Sequence, residues 1–162
     1  MTIDFSKLSY TFNSKPLIIG GMAMEYYGLR KTGNDVDLIA KEDDVSALIK
    51  LFPEKIKNLW GDIGVCPFEF EIWKSIRFLR YEDLQDNAIE EDNFKVVSLK
   101  NLLYMKALFI ENEKNYNDVL LIKDFINNTA SEQYTIVNDE NSKFLEGINN
   151  IQYIEKKGPS EE

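Results

Sequence analysis

The chain has 162 residues, 28 acidic against 19 basic for a net charge of −9, with one cysteine and no histidine. That length suits one domain with a sizeable core. The missing histidine excludes serine–histidine hydrolases, cysteine–histidine proteases and histidine-ligated zinc sites, and a lone cysteine excludes an internal disulfide. Any chemistry must therefore run on carboxylates, lysines and metal ions. An acidic surface without a run of Lys and Arg repels a nucleic-acid backbone, so broad nucleic-acid binding is not expected. Cys66 reads as a small buried hydrophobe within a strand. Met1 to Phe5 lack the basic start of a signal peptide, and no apolar run nears the roughly 20 residues that span a bilayer. The expectation is a cytoplasmic protein that makes no membrane contact.

Residues 1 to 14 predict a short amphipathic lead-in, with Phe5, Leu8 and Phe12 at near-helical spacing, until Pro16 starts a strand. Leu17-Ile18-Ile19 then runs into Gly20-Gly21, which opens a brief helix. Glycines let a bulky anion approach backbone N–H groups, and the first helical turn offers free donors and the positive end of a dipole. After a glycine-bearing turn comes the strand Asp35-Val36-Asp37-Leu38-Ile39. Alternation directs Asp35 and Asp37 to one face and Val36 and Leu38 to the other. Two carboxylates one strand-step apart make a cradle of hard oxygens for Mg²⁺. Taken singly, Gly-Gly is also an ordinary strand-to-helix turn, and Asp-Val-Asp an ordinary solvated strand end. Further on, Asp43 or Asp44 caps a helix over about Val45 to Leu51, ended by Pro53. Residues 56 to 60 read as a strand and Gly61-Asp62-Ile63-Gly64 as a turn.

Val65 to Trp73 alternates with period two, setting Phe68, Phe70 and Ile72 on one face and Glu69, Glu71 and Trp73 on the other. By itself that is a half-exposed strand with its acids in water. Residues 76 to 81 alternate again and are expected to pair with the preceding strand through a Lys74-Ser75 turn. Glu82 to Ala88 reads as helix and Phe94 to Val97 as strand. Ser98 then caps a helix from Leu99 to about Glu113, with Leu99, Leu102, Leu103, Lys106, Ala107 and Ile110 along one stripe. A further helix is expected over Asn117 to Asn127. Lys106 suits a snorkelling role at the stripe's edge, and Asp118 suits an acid at a helix N-terminus. Beyond Asn128 the chain turns polar, with strands expected at Tyr134 to Val137 and Ile151 to Ile154 and disorder from Lys156 onward.

The order strand, Gly-Gly, helix, turn, strand, Asp-x-Asp resembles the signature of the nucleotidyltransferase superfamily that includes DNA polymerase beta. The stretch GGMAMEYYGLRKTGNDVDLI is similar to the small bacterial nucleotidyltransferases, which read GG-x-A, then G-x-R, then T-x-D-x-D; here one extra residue separates Thr32 from Asp35. VVSLKNLLYMKALF followed by NDVLLIKDF resembles them too. The resemblance implies an α/β (α+β) fold, a mixed sheet with helices mainly on one side and helices after it. The nucleotidyltransferase-fold domain would cover residues 1–127 and a polar extension residues 128–162. It implies transfer of a nucleoside monophosphate from a nucleoside triphosphate such as ATP to an unknown acceptor, with two Mg²⁺ ions as cofactor. Asp35 and Asp37 would hold the ions, with a third carboxylate from a neighbouring strand. Glu71 is the first choice and Glu69 the alternative, in a place where most of the family has aspartate. Gly20 and Gly21 would cradle the triphosphate, Arg30 or Lys31 neutralise it, and Lys106 contact its phosphates. The alternatives are a toxin-type nucleotidyltransferase with an antitoxin-like partner, or a nucleotide-binding or interaction module that has lost turnover.

Overall fold

The computed structural model describes the backbone of residues 2–140 and the side chains of residues 2–130. The described residues divide into two units, one ending at Lys123 and the other starting at Asp124. In chain order the elements are β1 (Leu17–Ile18), α1 (Gly20–Tyr26), β2 (Val36–Ile39), α2 (Glu42–Leu51), β3 (Ile56–Leu59), β4 (Asp62–Val65) and β5 (Phe70–Trp73). There follow β6 (Ser75–Ile76), β7 (Leu79–Arg80), α3 (Tyr81–Leu84), β8 (Ile89–Glu90), β9 (Lys95–Val96), α4 (Leu99–Ala107) and α5 (Glu113–Glu140). Seven strands form one mixed sheet in the order β3-β4-β5-β2-β1-β9-β8, so the fold is α+β as its sequence predicts. The pairs β2–β5 and β1–β9 are parallel, while β1–β2, β3–β4, β4–β5 and β8–β9 are antiparallel.

The central strands are central because their side chains are apolar. Leu17, Ile18, Leu38, Ile39, Phe70 and Ile72 are all buried, which is the composition of strands covered on both faces. At the sheet edge every residue of β3 is exposed, and Lys57 sits in its middle, a charge that discourages further strand pairing. No helix among the described residues is long and apolar enough to cross a membrane.

The N-terminal stretch holds a single 3-10 turn, Ser6–Leu8, instead of an amphipathic helix. Asp44 explains how the rest of it is held. That residue is fully buried in the first turn of α2, where it accepts hydrogen bonds from the Tyr10 hydroxyl and the Asn13 amide, both at 2.8 Å. Burial, reinforced by the Asp44 charge, pushes the Tyr10 hydroxyl up to about 12. Asp44 is therefore no helix cap; Lys41 stands at that position without a side-chain bond.

Several expected boundaries move. Residues 62–65 form β4 and not a turn, because the reversal is made by Trp60-Gly61 alone, at φ 51° and 103°. The alternating run Val65 to Trp73 spans two antiparallel strands, with Val65 paired to Ile72. Between them the chain reverses through Pro67, which has no N–H to give, and Phe68 at φ 57°. Cys66 lies half-buried in that reversal, outside any strand. Residues 75–80 form their own two-stranded ribbon, β6–β7, with no pairing to β5. Its turn residues Arg77 and Phe78 stand at φ 49° and 65°. That is the left-handed geometry of a two-residue hairpin turn, a place that favours Asn-Gly. Helix α3 is one turn long and stops at Leu84. Ser98 caps α4 as expected, accepting from the Asn101 amide at 3.3 Å, but α4 ends at Ala107. Helix α5 starts at Glu113 and runs through Tyr134 to Val137, so the strand expected there is helix. The strand expected at Ile151 to Ile154 and the tail from Lys156 lie outside the described residues.

Candidate functional site

Strands β2 and β5 run parallel with Asp37 directly opposite Glu71. Both side chains line a single cavity of about 660 Å³, together with Gly20 from the start of α1 and Lys106 from α4. The glycine is required sterically: Gly20 has φ +61°, and a Cβ there would collide with the Asp37 carboxylate. The first task of the Gly-Gly pair is thus to let this carboxylate sit against the backbone. Burial raises the Asp37 carboxyl above its ordinary value and the Glu71 charge raises it further, while the Gly21 amide and the Lys106 ammonium pull it back. A half-buried acid facing a second acid in a cleft is the electrostatic pattern of a site that receives a cation or a proton.

Asp35 differs from its expected placement. It precedes β2, which begins at Val36, and is exposed. Its charge still adds to the rise at Asp37. Glu71 is ion-paired to Lys57 of β3 at 2.7 Å. Glu69 is not on the face of Glu71: it stands in the turn before β5, bound to Lys7 at 2.6 Å, and does not line the cavity. Strand alternation fails for Glu69 because the strand has not yet begun. Among the described residues no three Asp, Glu or Cys side chains are grouped closely enough to form a ready-made metal site. The donors themselves suit Mg²⁺, being hard carboxylate oxygens whose mutual repulsion Lys57 and Lys106 offset only in part, since the Asp37 carboxyl stays raised.

The cations expected to meet a triphosphate have partners of their own. Asp118, in the second turn of α5 and fully buried, accepts Arg30 Nε at 2.5 Å and Nη2 at 2.8 Å. It also pairs with Lys106 at 2.8 Å, and Lys106 donates to Asn115 Oδ1 at 3.0 Å. Burial alone would raise the Asp118 carboxyl; the Arg30 and Lys106 bonds outweigh it and hold it below its ordinary value. Asp118 is therefore the hub of a buried cluster and not an acid serving a helix dipole. Lys106 is buried against the cavity wall instead of snorkelling, and Arg30 is committed to a two-pronged bond away from the cavity lining. Lys31 is exposed and pairs with Glu25 at 3.2 Å. Gly21 faces Thr32 and lies outside the cavity lining, so of the pair only Gly20 borders the open space.

The far wall of the cavity contains groups the sequence pattern does not single out. They include Trp60, Asp62, Arg77, Phe78 and Phe109. The one sequence signal for them is the aromatic–glycine pair Trp60-Gly61 between two apolar runs. Nothing local marks Arg77-Phe78, whose residue types argue against the turn they make. Comparison of the chain with protein-family models, with curated proteins and with solved structures gives no match.

Proposed function

We propose that the chain is a metal-dependent nucleotidyltransferase that moves a nucleoside monophosphate from a nucleoside triphosphate to an acceptor hydroxyl, releasing pyrophosphate. The reading starts from the Gly-Gly and Asp-x-Asp resemblance. The observation that carries it is the direct opposition of Asp37 and Glu71 at a cavity bordered by Gly20. Asp37 and Glu71 would hold Mg²⁺, with Asp35 swinging in from the exposed end of β2. The metal, when bound, would neutralise phosphate charge and polarise the phosphorus under attack. Lys106, fixed by Asp118 and Asn115, presents a positive charge to the same cavity and suits the departing pyrophosphate. Glu71 is also the base for the acceptor's proton. The acceptor oxygen forms its bond to the α-phosphorus as the bond to pyrophosphate breaks.

The test uses ATP labelled at the α-phosphate, with Mg²⁺ and a panel of hydroxyl acceptors, following label transfer and pyrophosphate release. Glu71→Gln keeps shape and removes charge, so turnover should fall by about a hundredfold or more, well beyond any loss of Mg²⁺-nucleotide binding, for which Asp37 remains. Wild-type turnover in that variant would remove Glu71 from the chemistry. A second reading, a nucleotide-binding module without turnover, is favoured by the Lys57 ammonium that already occupies Glu71. ATP binding with no pyrophosphate release from any nucleoside triphosphate would select it.

A further inference from the structure

Two hairpin tips meet at the rim of the cavity. The β3–β4 hairpin ends in Trp60-Gly61 and the β6–β7 ribbon ends in Arg77-Phe78. One carboxylate fastens them together. Asp62, the first residue of β4, accepts the Ser75 hydroxyl at 2.7 Å, the Arg77 amide at 2.6 Å and the Phe78 amide at 3.1 Å. The Phe78 ring lies over Gly61, reaching within 3.5 Å of where a Cβ would stand. Arg77 rests on the Phe109 ring at 4.5 Å and pairs with Glu111 at 2.8 Å.

Two features of this corner call for a reason. Trp60 and Phe78 are 94% and 74% exposed, although they line a cavity. Both tips also hold bulky residues in left-handed backbone, which Trp60, Arg77 and Phe78 adopt at φ 51°, 49° and 65°. Strain of that kind is kept where a side chain must be held in a particular place. Here it holds two flat apolar rings, open to water, on the cavity that contains Asp37 and Glu71. Stacking on aromatic rings is how proteins take up the flat face of a base without reading its edges.

We propose that the Trp60 and Phe78 hairpin tips form a clasp for the planar base of the bound nucleotide, with Asp62 locking the two tips in register. The inference rests on the nucleotide reading above. It adds that the base lies on the β3–β4 and β6–β7 side of the cavity, and that recognition is by stacking, hence tolerant of base identity and stronger for purines. Arg77, laid on Phe109, extends the flat wall.

Isothermal titration in Mg²⁺ buffer with three probes tests it: ATP, inorganic tripolyphosphate and adenosine. Wild type should bind ATP at least about tenfold more tightly than tripolyphosphate, and should bind adenosine measurably. Trp60→Ala and Phe78→Ala should each weaken ATP by about tenfold or more, abolish adenosine binding and leave tripolyphosphate unchanged, with Trp60→Phe restoring most of the loss. Both rings are exposed, so truncation leaves the core intact, and unchanged thermal melting verifies this. Equal affinity for ATP and tripolyphosphate, unmoved by either variant, would overturn the clasp while leaving a phosphate site in place. Failure of wild type to bind either phosphate ligand would instead remove the nucleotide reading, and the clasp with it.

Discussion

Asp37 is held in the site with its carboxyl raised by its surroundings. It is packed against Gly20, faces Glu71, and has Asp35 two residues away. Its carboxyl is raised by burial first and by the Glu71 charge second, so the folded state holds the Asp37 proton more tightly than the unfolded state does. Ionised Asp37 therefore costs stability above its folded value. That cost is relieved as the pH falls through that value, and it is gone below the unfolded value of 3.8. Asp37→Asn is nearly isosteric and can still accept the Gly21 amide. The variant should melt higher than wild type at pH 7 in metal-free buffer, with the gap closing as the pH approaches 4. A gap that stays constant across a pH series of melting curves would show that charge is not its source. Such a residue is placed for something other than stability, which fits a group that waits for a cation.

At the scale of elements, the hairpins show where local preference was overruled. A two-residue turn with both residues at positive φ wants Asn-Gly, and the β6–β7 turn has Arg-Phe. Left-handed backbone costs a bulky residue roughly 1–2 kcal/mol. The contacts that would be lost are Arg77's exposed ion pair to Glu111 and its stack on Phe109, together about 1–2 kcal/mol, and the contact of the exposed Phe78 ring over Gly61. Replacing Arg77-Phe78 by Asn-Gly should thus stabilise the fold by about 1 kcal/mol in urea unfolding, with ATP affinity falling. A variant no more stable than wild type would mean that the Asp62 bonds have already relieved the strain. The same elements mark how far the sequence could be read. Gly20, the Asp37 strand, the Glu71 strand and the Ser98 cap were legible because each depends on short-range rules: alternation, glycine sterics and side-chain capping. Glu69 and the β4–β5 reversal were misread because a continuous alternating pattern does not say where a strand turns back, and Pro67-Phe68 broke it silently. Asp118 was misread because its partners, Arg30 and Lys106, lie far away in sequence or one helix earlier, and no periodicity reports such a cluster. The aromatic tips were missed for the same reason, since their meeting depends on Asp62 reaching across to a different hairpin.

For the whole molecule, the net charge of −9 sets what can approach the site. Lys7, Lys15, Lys31, Lys57 and Lys74 are each paired with a glutamate, so much of the positive charge is already spoken for. Of the charged cavity-lining residues, Asp37, Asp62 and Glu71 oppose only Arg77 and Lys106, and both cations are themselves ion-paired. A free triphosphate entering this field meets repulsion, and a divalent cation arriving with it reverses that sign. Nucleotide binding should therefore be strongly metal-linked, which melting experiments can read. A ligand that binds only the folded state at about 100 times its Kd adds about 2.7 kcal/mol, enough to move the midpoint by several degrees. Mg²⁺ with ATP should give that rise; ATP with a chelator, and Mg²⁺ alone, should give far less. Asp37→Ala should remove the combined shift, and a DNA duplex should shift nothing at physiological salt, since no counterions are released from an acidic surface. An equal rise from ATP in chelator would show that the carboxylates take no part in holding the nucleotide. The Asp37–Glu71 pair would then have to be explained without a metal.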